Sequence, residues 1–293
     1  MHIGPVSSKR VVIAVFAALV ACRSSDTPFI KPFLWVAERD GRSTVLFGTM
    51  HIGIDPLRQL PPAVWSRFEA APAFAMETNP ADLVRIDTSR HDGGTLSRDL
   101  GNTKWQILTS LIGPSAASRV DGQKPYVAAA LVASAGLPKT EAMDGVFLAR
   151  AQRARKRIVF LEPIENQIAA LEKWLTTREL AGMLEDAPAA VARSNLLLSA
   201  YASGQESAVD HVVEVERRAA LQRGRSDAEY REQMAELVQE RNAAWIPVLE
   251  KFHADGGGFV AVGTLHLIGD RSVIDLLRQR GFRVERVLFP PRQ

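Results

Sequence analysis

Apolar positions along this chain follow two periods, and their distribution divides it. Near the N-terminal end, "FLWVAER" (33–39) and "TVLFGT" (44–49) are short β-rich runs separated by "DGRS", which predicts a hairpin. "PPAVWSRFEAA" (61–71) opens with proline and carries apolar residues at helical spacing. "AFAMET" (73–78) then returns to a short apolar run ending on a carboxylate, Glu77. Strand, helix and strand in that order suggest the start of a βαβ unit. From about 80 to 155 the pattern is helical with Gly and Pro interruptions, and "RIVFLEP" (157–163) reads as a buried strand with Glu162 at its end. Residues 164–252 are largely helical, most clearly over "DAEYREQMAELVQERNAAWIPVLEKF" (227–252). "GGGFVAVGTLHL" returns to strand, "RSVIDLLRQRG" (271–281) is a helix closed by Gly281, and "FRVERVLF" ends as a strand.

Strands therefore gather at the two ends of the chain, and neither end supplies enough of them for a sheet of its own. The pattern predicts one α/β domain over 33–290, with a mixed sheet built from N- and C-terminal strands and a large helical insertion over about 80–255.

Composition narrows the classes. The 293 residues are 46% hydrophobic and 24% charged, which suits a globular chain and excludes disorder or a multi-span membrane protein. The net charge of +3 is small, and its basic residues are interleaved with acidic ones apart from "RARKR" (153–157). No concentrated basic face is expected, and so no nucleic-acid partner.

The first residues carry more information. "VVIAVFAALVA" (11–21) follows Lys9 and Arg10; it is too short to cross a bilayer as a helix and suits the apolar region of an export signal. Leu19-Val20-Ala21-Cys22 resembles the bacterial lipobox. The expectation is a signal peptide over 1–21, a lipid anchor in the membrane at Cys22 and a linker over 22–32. Arg23, rather than Asp, after the cysteine favours the outer membrane, facing the periplasm. Cys22 is the only cysteine, which excludes an intrachain disulfide or a thiolate metal cage.

The candidate chemistry lies in a repeated phrase. "TVLFGTMHI" (44–52) and "FVAVGTLHL" (259–267) each run from apolar residues into Gly-Thr-x-His. Gly48 and Gly263 allow a sharp turn or a close approach, and His51 and His266 would each stand just beyond a strand end. In open α/β folds that edge is where sites form. If the two strands are neighbours, both imidazoles face one crevice, and Glu77 could join them. Two imidazoles and a carboxylate could hold a divalent metal ion with positions left for water and substrate. Equally, one histidine could act as general base with Glu77 orienting it or serving as acid. Asp144 reads as a helix N-cap in preference to a partner for a ligand histidine. His91, His211 and His253 read as surface residues, and the five tryptophans as core or groove packing. There is no phosphate loop, His-Glu-x-x-His pair or Gly-x-Ser-x-Gly elbow.

Taken together, "FLWVAERDGRSTVLFGTMHIG…LPPAVW…AFAMETNP", "MDGVFLARAQRARKRIVFLEPIENQIAAL" and "ERNAAWIPVLEKF…GGGFVAVGTLHLIGDRSVIDLLRQRGFRVERV" resemble the TraB/GumN family from about residue 33 to 288. The resemblance implies a core related to TIKI metalloproteases and, more distantly, to erythromycin esterases and ChaN-like haem-binding lipoproteins. It implies a metal-dependent, peptidase-like hydrolase with His51, Glu77 and His266 as ligands or catalytic groups and Mn, Co or Zn as the metal. Arg241 and Asn242 match the family's Arg-Asn pair, and Arg241 would steady an oxyanion or a substrate carboxylate. Glu162 and Gln167 match its Leu-Glu and Gln positions, although Pro163 stands where Thr is common. A peptide or protein substrate would follow. The alternative on the same fold is a lipoprotein that binds a ligand, haem or peptide without turnover.

Overall fold

The computed structural model describes residues 29–289; the signal segment and Cys22 lie outside them. Strands β1 (Phe33–Arg39) and β2 (Arg42–Thr49) form the expected hairpin. Its turn residues, Asp40 and Gly41, both take positive φ (53° and 70°), the twist that a two-residue hairpin requires and that Asp-Gly adopts readily. β3 (Ala73–Met76), β4 (Arg157–Phe160), β5 (Gly258–Gly263) and β6 (Arg283–Arg286) complete a six-stranded sheet in the order β4-β3-β5-β2-β1-β6. β5, near the end of the chain, is inserted between β2 and β3 and runs parallel to both, while β4 is parallel to β3. β1 is antiparallel to β2 and β6. The sheet is thus mixed and drawn from both ends of the chain. Four of its strands, β4, β3, β5 and β2, point the same way, so their C-terminal ends share one edge.

Entry of β5 between two strands explains the glycine run before it. A Cβ on Gly257 would run into the Ser43 carbonyl, and one on Gly258 into the Ala73 carbonyl. One sheet face is closed by aromatic packing. Phe47, Phe74 and Phe259 from the strands meet Phe68 of helix Pro62–Ala70 and Phe147 of helix Met143–Arg153, with ring centroids 5.2–5.7 Å apart for the closest pairs. All five rings are buried, and each contributes about 1.5–3 kcal/mol by leaving water. This packing fixes both the sheet edge and the start of the Met143–Arg153 helix.

The insertion between β3 and β5 is helical except for β4 and has a smaller core of its own, centred on Leu96, Leu108, Leu180 and Leu184. Among the described residues, no helix is long and apolar enough to cross a membrane. One expectation is corrected here. His253 is not a surface residue: it is 2% exposed, with Nδ1 2.8 Å from Thr44 Oγ1 and Nε2 3.0 Å from the Arg39 carbonyl. The hairpin folds over it, which its polar neighbours in sequence do not reveal. His91 and His211 are exposed, as expected.

Candidate functional site

The two Gly-Thr-x-His phrases meet side by side at the shared edge. Thr49 pairs with Gly263 across β2 and β5, so the two motifs are offset by one residue. That offset brings Thr264 against Gly48. A Cβ there would stand 2.8 Å from Thr264 Oγ1 and 3.0 Å from Phe33 Cβ, so only glycine allows the approach. The threonines then tie the motifs together: Thr264 Oγ1 donates to the Thr49 carbonyl at 3.0 Å, and Thr49 Oγ1 donates to Asp144 Oδ1 at 2.8 Å. Tyr201, fully enclosed, donates its hydroxyl to the Gly48 carbonyl at 2.8 Å, and burial pushes its phenol up in pKa.

His51 follows β2 and is anchored twice. Its carbonyl accepts from the Met143 amide at 3.0 Å, and its Nδ1 lies 2.6 Å from Asp144 Oδ2. Asp144 therefore is not the cap of its helix; Ala142 holds that position without a side-chain bond. The carboxylate instead orients an imidazole, the alternative to a cap that the sequence allows. The charge of Asp144 and its hydrogen bond raise the His51 pKa to about 9. The side chain keeps 66% of its surface exposed, and among the described residues Nε2 has no hydrogen-bond partner.

His266 follows β5 in a short turn, Thr264–His266, and its side chain is 7% exposed. Its Nδ1 lies 2.7 Å from Asn242 Oδ1, and Asn242 Nδ2 donates to the Arg271 carbonyl at 3.0 Å. With the amide so oriented, Oδ1 can only accept, so Nδ1 carries the proton and Nε2 presents the lone pair, toward Arg241 NH1 at 3.4 Å. Trp245 covers the ring, with centroids 4.4 Å apart. Burial, helped by the Arg241 charge, lowers the His266 pKa to about 4 although Glu77 pulls the other way. At neutral pH this imidazole is uncharged.

Glu77 stands one residue beyond β3 and joins the two halves. Oε1 accepts from the Gly263 amide at 2.7 Å and lies 3.8 Å from His266 Nε2; Oε2 accepts from Arg241 at 2.8 Å and Gln167 Nε2 at 3.2 Å. Burial pushes the carboxyl up, but the surrounding positive charge and the Gly263 amide outweigh it and bring it to about 2. Because His266 is neutral at pH 7, the effect there comes chiefly from Arg241 and protonated His51, with the Gly263 amide adding to it. Arg241 also donates from Nε to Glu162 at 2.7 Å and from NH1 to the Leu237 carbonyl at 2.9 Å, with His266 Nε2 at 3.4 Å. Every guanidinium nitrogen has a protein partner. Its place is therefore to hold two buried carboxylates together, with little left for an oxyanion. Glu162 is in position despite Pro163, which precedes helix Ile164–Trp174.

His51, Glu77, Gln167, Arg241, Gly263 and His266 all line one cavity of about 250 Å³. Among the described residues, no three His, Cys, Asp or Glu side chains form a ready metal cage. The chemistry of the donors nonetheless fits a divalent cation. Each imidazole has Nδ1 secured by an outer partner, the arrangement typical of ligand histidines. Three carboxylates, Glu77, Glu162 and Asp144, face one arginine and the His51 proton, so negative charge is in surplus. In the sequence Thr49 and Thr264 stand out only as parts of a repeated phrase, and Tyr201 does not stand out at all. The repeated threonine was the available signal for the first two. Tyr201, inside helix Ala187–Ser203, had none. Trp245, read as packing, does pack, but on His266.

No curated protein and no solved structure gives a significant match to this chain. The TraB/PrgY/gumN family model matches residues 33–286, a span holding every one of these side chains. The chain therefore belongs to the TraB/PrgY/gumN family.

Proposed function

We propose that this protein is a divalent-metal-dependent hydrolase of the cell envelope, peptidase-like in acting on amide bonds of a peptide or protein. One observation carries the reading: two imidazoles, each with Nδ1 held by an outer partner, and a carboxylate line a single cavity at the C-terminal edge of parallel strands. Mn²⁺, Co²⁺ or Zn²⁺ would be held by His266 and by His51, once its second proton is displaced, and when bound would polarise a carbonyl and acidify a water. Glu77 would be the third ligand or, kept ionised, the acceptor of the attacking water's proton. Arg241 holds Glu77 and Glu162 in place, and Asp144 and Asn242 fix the two rings. Thr49 braces Asp144.

The spread of the two histidines also favours a second, metal-free reading. There, neutral His266 takes the proton from water and protonated His51 gives one to the leaving amine.

The test is elemental analysis of protein reloaded with Mn²⁺, Co²⁺ or Zn²⁺ and desalted, beside the His51→Ala/His266→Ala double mutant. A quenched-fluorescence peptide library is assayed with and without chelator. Near-stoichiometric metal lost in the folded double mutant, with chelator-sensitive cleavage, supports the first reading. Cleavage indifferent to chelator but lost in the folded double mutant supports the second. Metal or ligand binding without turnover would replace both with a binding lipoprotein.

The envelope placement rests on residues 1–22 of the sequence alone: a lipid on Cys22 and residence at the outer membrane, facing the periplasm. Incorporation of labelled palmitate that is lost in Cys22→Ser tests it.

A further inference from the structure

The chain comes into the domain at the same sheet edge that carries the site. Ile30 donates its amide to the Gln59 carbonyl and Lys31 to the Ala202 carbonyl. Phe33, the first residue of β1, pairs with Gly48 of the first motif. β1 runs away from this edge and the antiparallel β6 returns to it, where the Val287 amide donates to the Leu34 carbonyl. Two leucines therefore stand beside the incoming chain: Leu288, just beyond β6, and Leu57, on helix Pro56–Gln59.

Both side chains are in the open, Leu57 at 53% and Leu288 at 82%. A single exposed leucine is commonplace, but the distribution here is uneven. Among the described residues, the exposed large apolar side chains Leu57, Leu83, Val84 and Leu288 all follow strand ends at this edge, and the other two, Leu131 and Leu196, lie on the insertion. The opposite edge has none; Asp40, Arg42, Lys251, Asp255, Arg280 and Arg283 are exposed there instead. Beside the incoming chain, Lys31, Arg58 and Arg286 face Asp55 and Glu206, so charge there nearly cancels and names no partner.

The partner is named by the sequence that precedes this point. The apolar run 11–21 ends at Cys22, and Phe29 is the seventh residue after it. Whether a lipid on Cys22 or the run itself sits in a bilayer, that stretch reaches about 25 Å at full extension. β2 alone, with eight residues, spans about 26 Å. For the opposite edge to meet the bilayer, the tether would have to run fully extended down the side of the domain. The near edge needs no such extension. Held that close, two leucines act at high effective concentration, where on an untethered protein they would be too few. We propose that the protein rests on a lipid bilayer by this edge, with Leu57 and Leu288 among the headgroups and the hairpin tip at Asp40 pointing away. The site, with His51, is thereby held at the membrane surface. The proposal rests on the envelope placement and stands apart from the hydrolase reading.

The experiment reconstitutes the full chain in phosphatidylethanolamine–phosphatidylglycerol vesicles containing a lipid with a nitroxide near its headgroup. A small fluorophore is placed on Leu57→Cys, Leu288→Cys, Lys31→Cys or Asp40→Cys, one at a time. Acylation blocks Cys22, the only native cysteine, so one label per chain is expected. A second label would show Cys22 unmodified and set aside the lipid alone; the series is then run in Cys22→Ser, held by the run 11–21. Labels at 57, 288 and 31 should lose most of their emission to the nitroxide, and the label at 40 should keep its own. With Leu57→Asp and Leu288→Asp together, the label at 31 should regain its emission, because a tether alone does not hold it within the quencher's short range. The proposal is overturned by unquenched labels at 57 and 288, by equal quenching at 40, by quenching at 31 indifferent to the double substitution, or by a chain that does not stay with the vesicles. Shielding of 57 and 288 that rises with protein concentration in the absence of vesicles would place a second copy on this face and overturn it too.

Discussion

The two motif ends share a wording and differ in nearly everything else. His51 lies largely in the open, its Nδ1 on a carboxylate, and keeps its proton to about pH 9. His266 lies under Trp245, its Nδ1 on an amide oxygen, and resists protonation down to about pH 4. The phrase Gly-Thr-x-His sets position: a strand end, a close approach, a threonine that ties one motif to the other. Proton affinity comes from elsewhere, from Asp144 on one helix and from Asn242 and Trp245 on another. Placing titratable groups whose affinities are pushed apart in one cavity is how a site assigns an acid and a base, or a labile and a fixed ligand.

The most severe way to break the comparison is to remove the group between the two ends. Glu77→Gln should lower hydrolysis by about 10²–10⁴-fold, measured as initial rate on whichever peptide the library selects. Smaller, and confined to one half, is Asn242→Leu, which removes the acceptor that fixes the His266 tautomer. A loss of about 10–100-fold in metal affinity or rate is expected, with His51 unaffected in its own titration. Gly48→Ala strikes the contact between the motifs instead: by overpacking against Thr264 and Phe33 it should cost about 1–3 kcal/mol in denaturant unfolding.

The mildest effect is on stability against pH, and the two histidines give slopes of opposite sign. His51 has its pKa raised, so its contribution is complete below the unfolded value near 6.5 and is lost as pH rises through about 9. His266 has its pKa lowered, so between about 6.5 and 4 the unfolded chain takes up a proton that the folded chain refuses, and stability falls with falling pH. Asp144→Asn should flatten the alkaline slope and leave the acid one.

Much of the scaffold was legible in the chain. Asp40-Gly41 announced the hairpin, the apolar runs announced the parallel strands, and Glu77 and Glu162 were visible as carboxylates closing such runs. These are local signals, with a period or a turn to carry them. What could not be read were contacts made across sequence distance. Asp144 looks like a cap because it sits in the first turn of its helix, yet it serves His51, 93 residues away. His253 has polar neighbours in sequence but is covered by the hairpin. The expected role of Arg241 changes once its partners are seen, since Glu77 and Glu162 occupy the donors an oxyanion would need.

The most direct test of the account is a ¹⁵N-detected NMR titration of the imidazoles, with His51→Gln and His266→Gln used for assignment. The account predicts that His51 stays protonated on both nitrogens until about pH 9, while His266 holds a single proton, on Nδ1, down to about pH 4. Two histidines titrating together near pH 6.5 would contradict it, because neither Asp144 nor the burial beneath Trp245 would then be acting on the site.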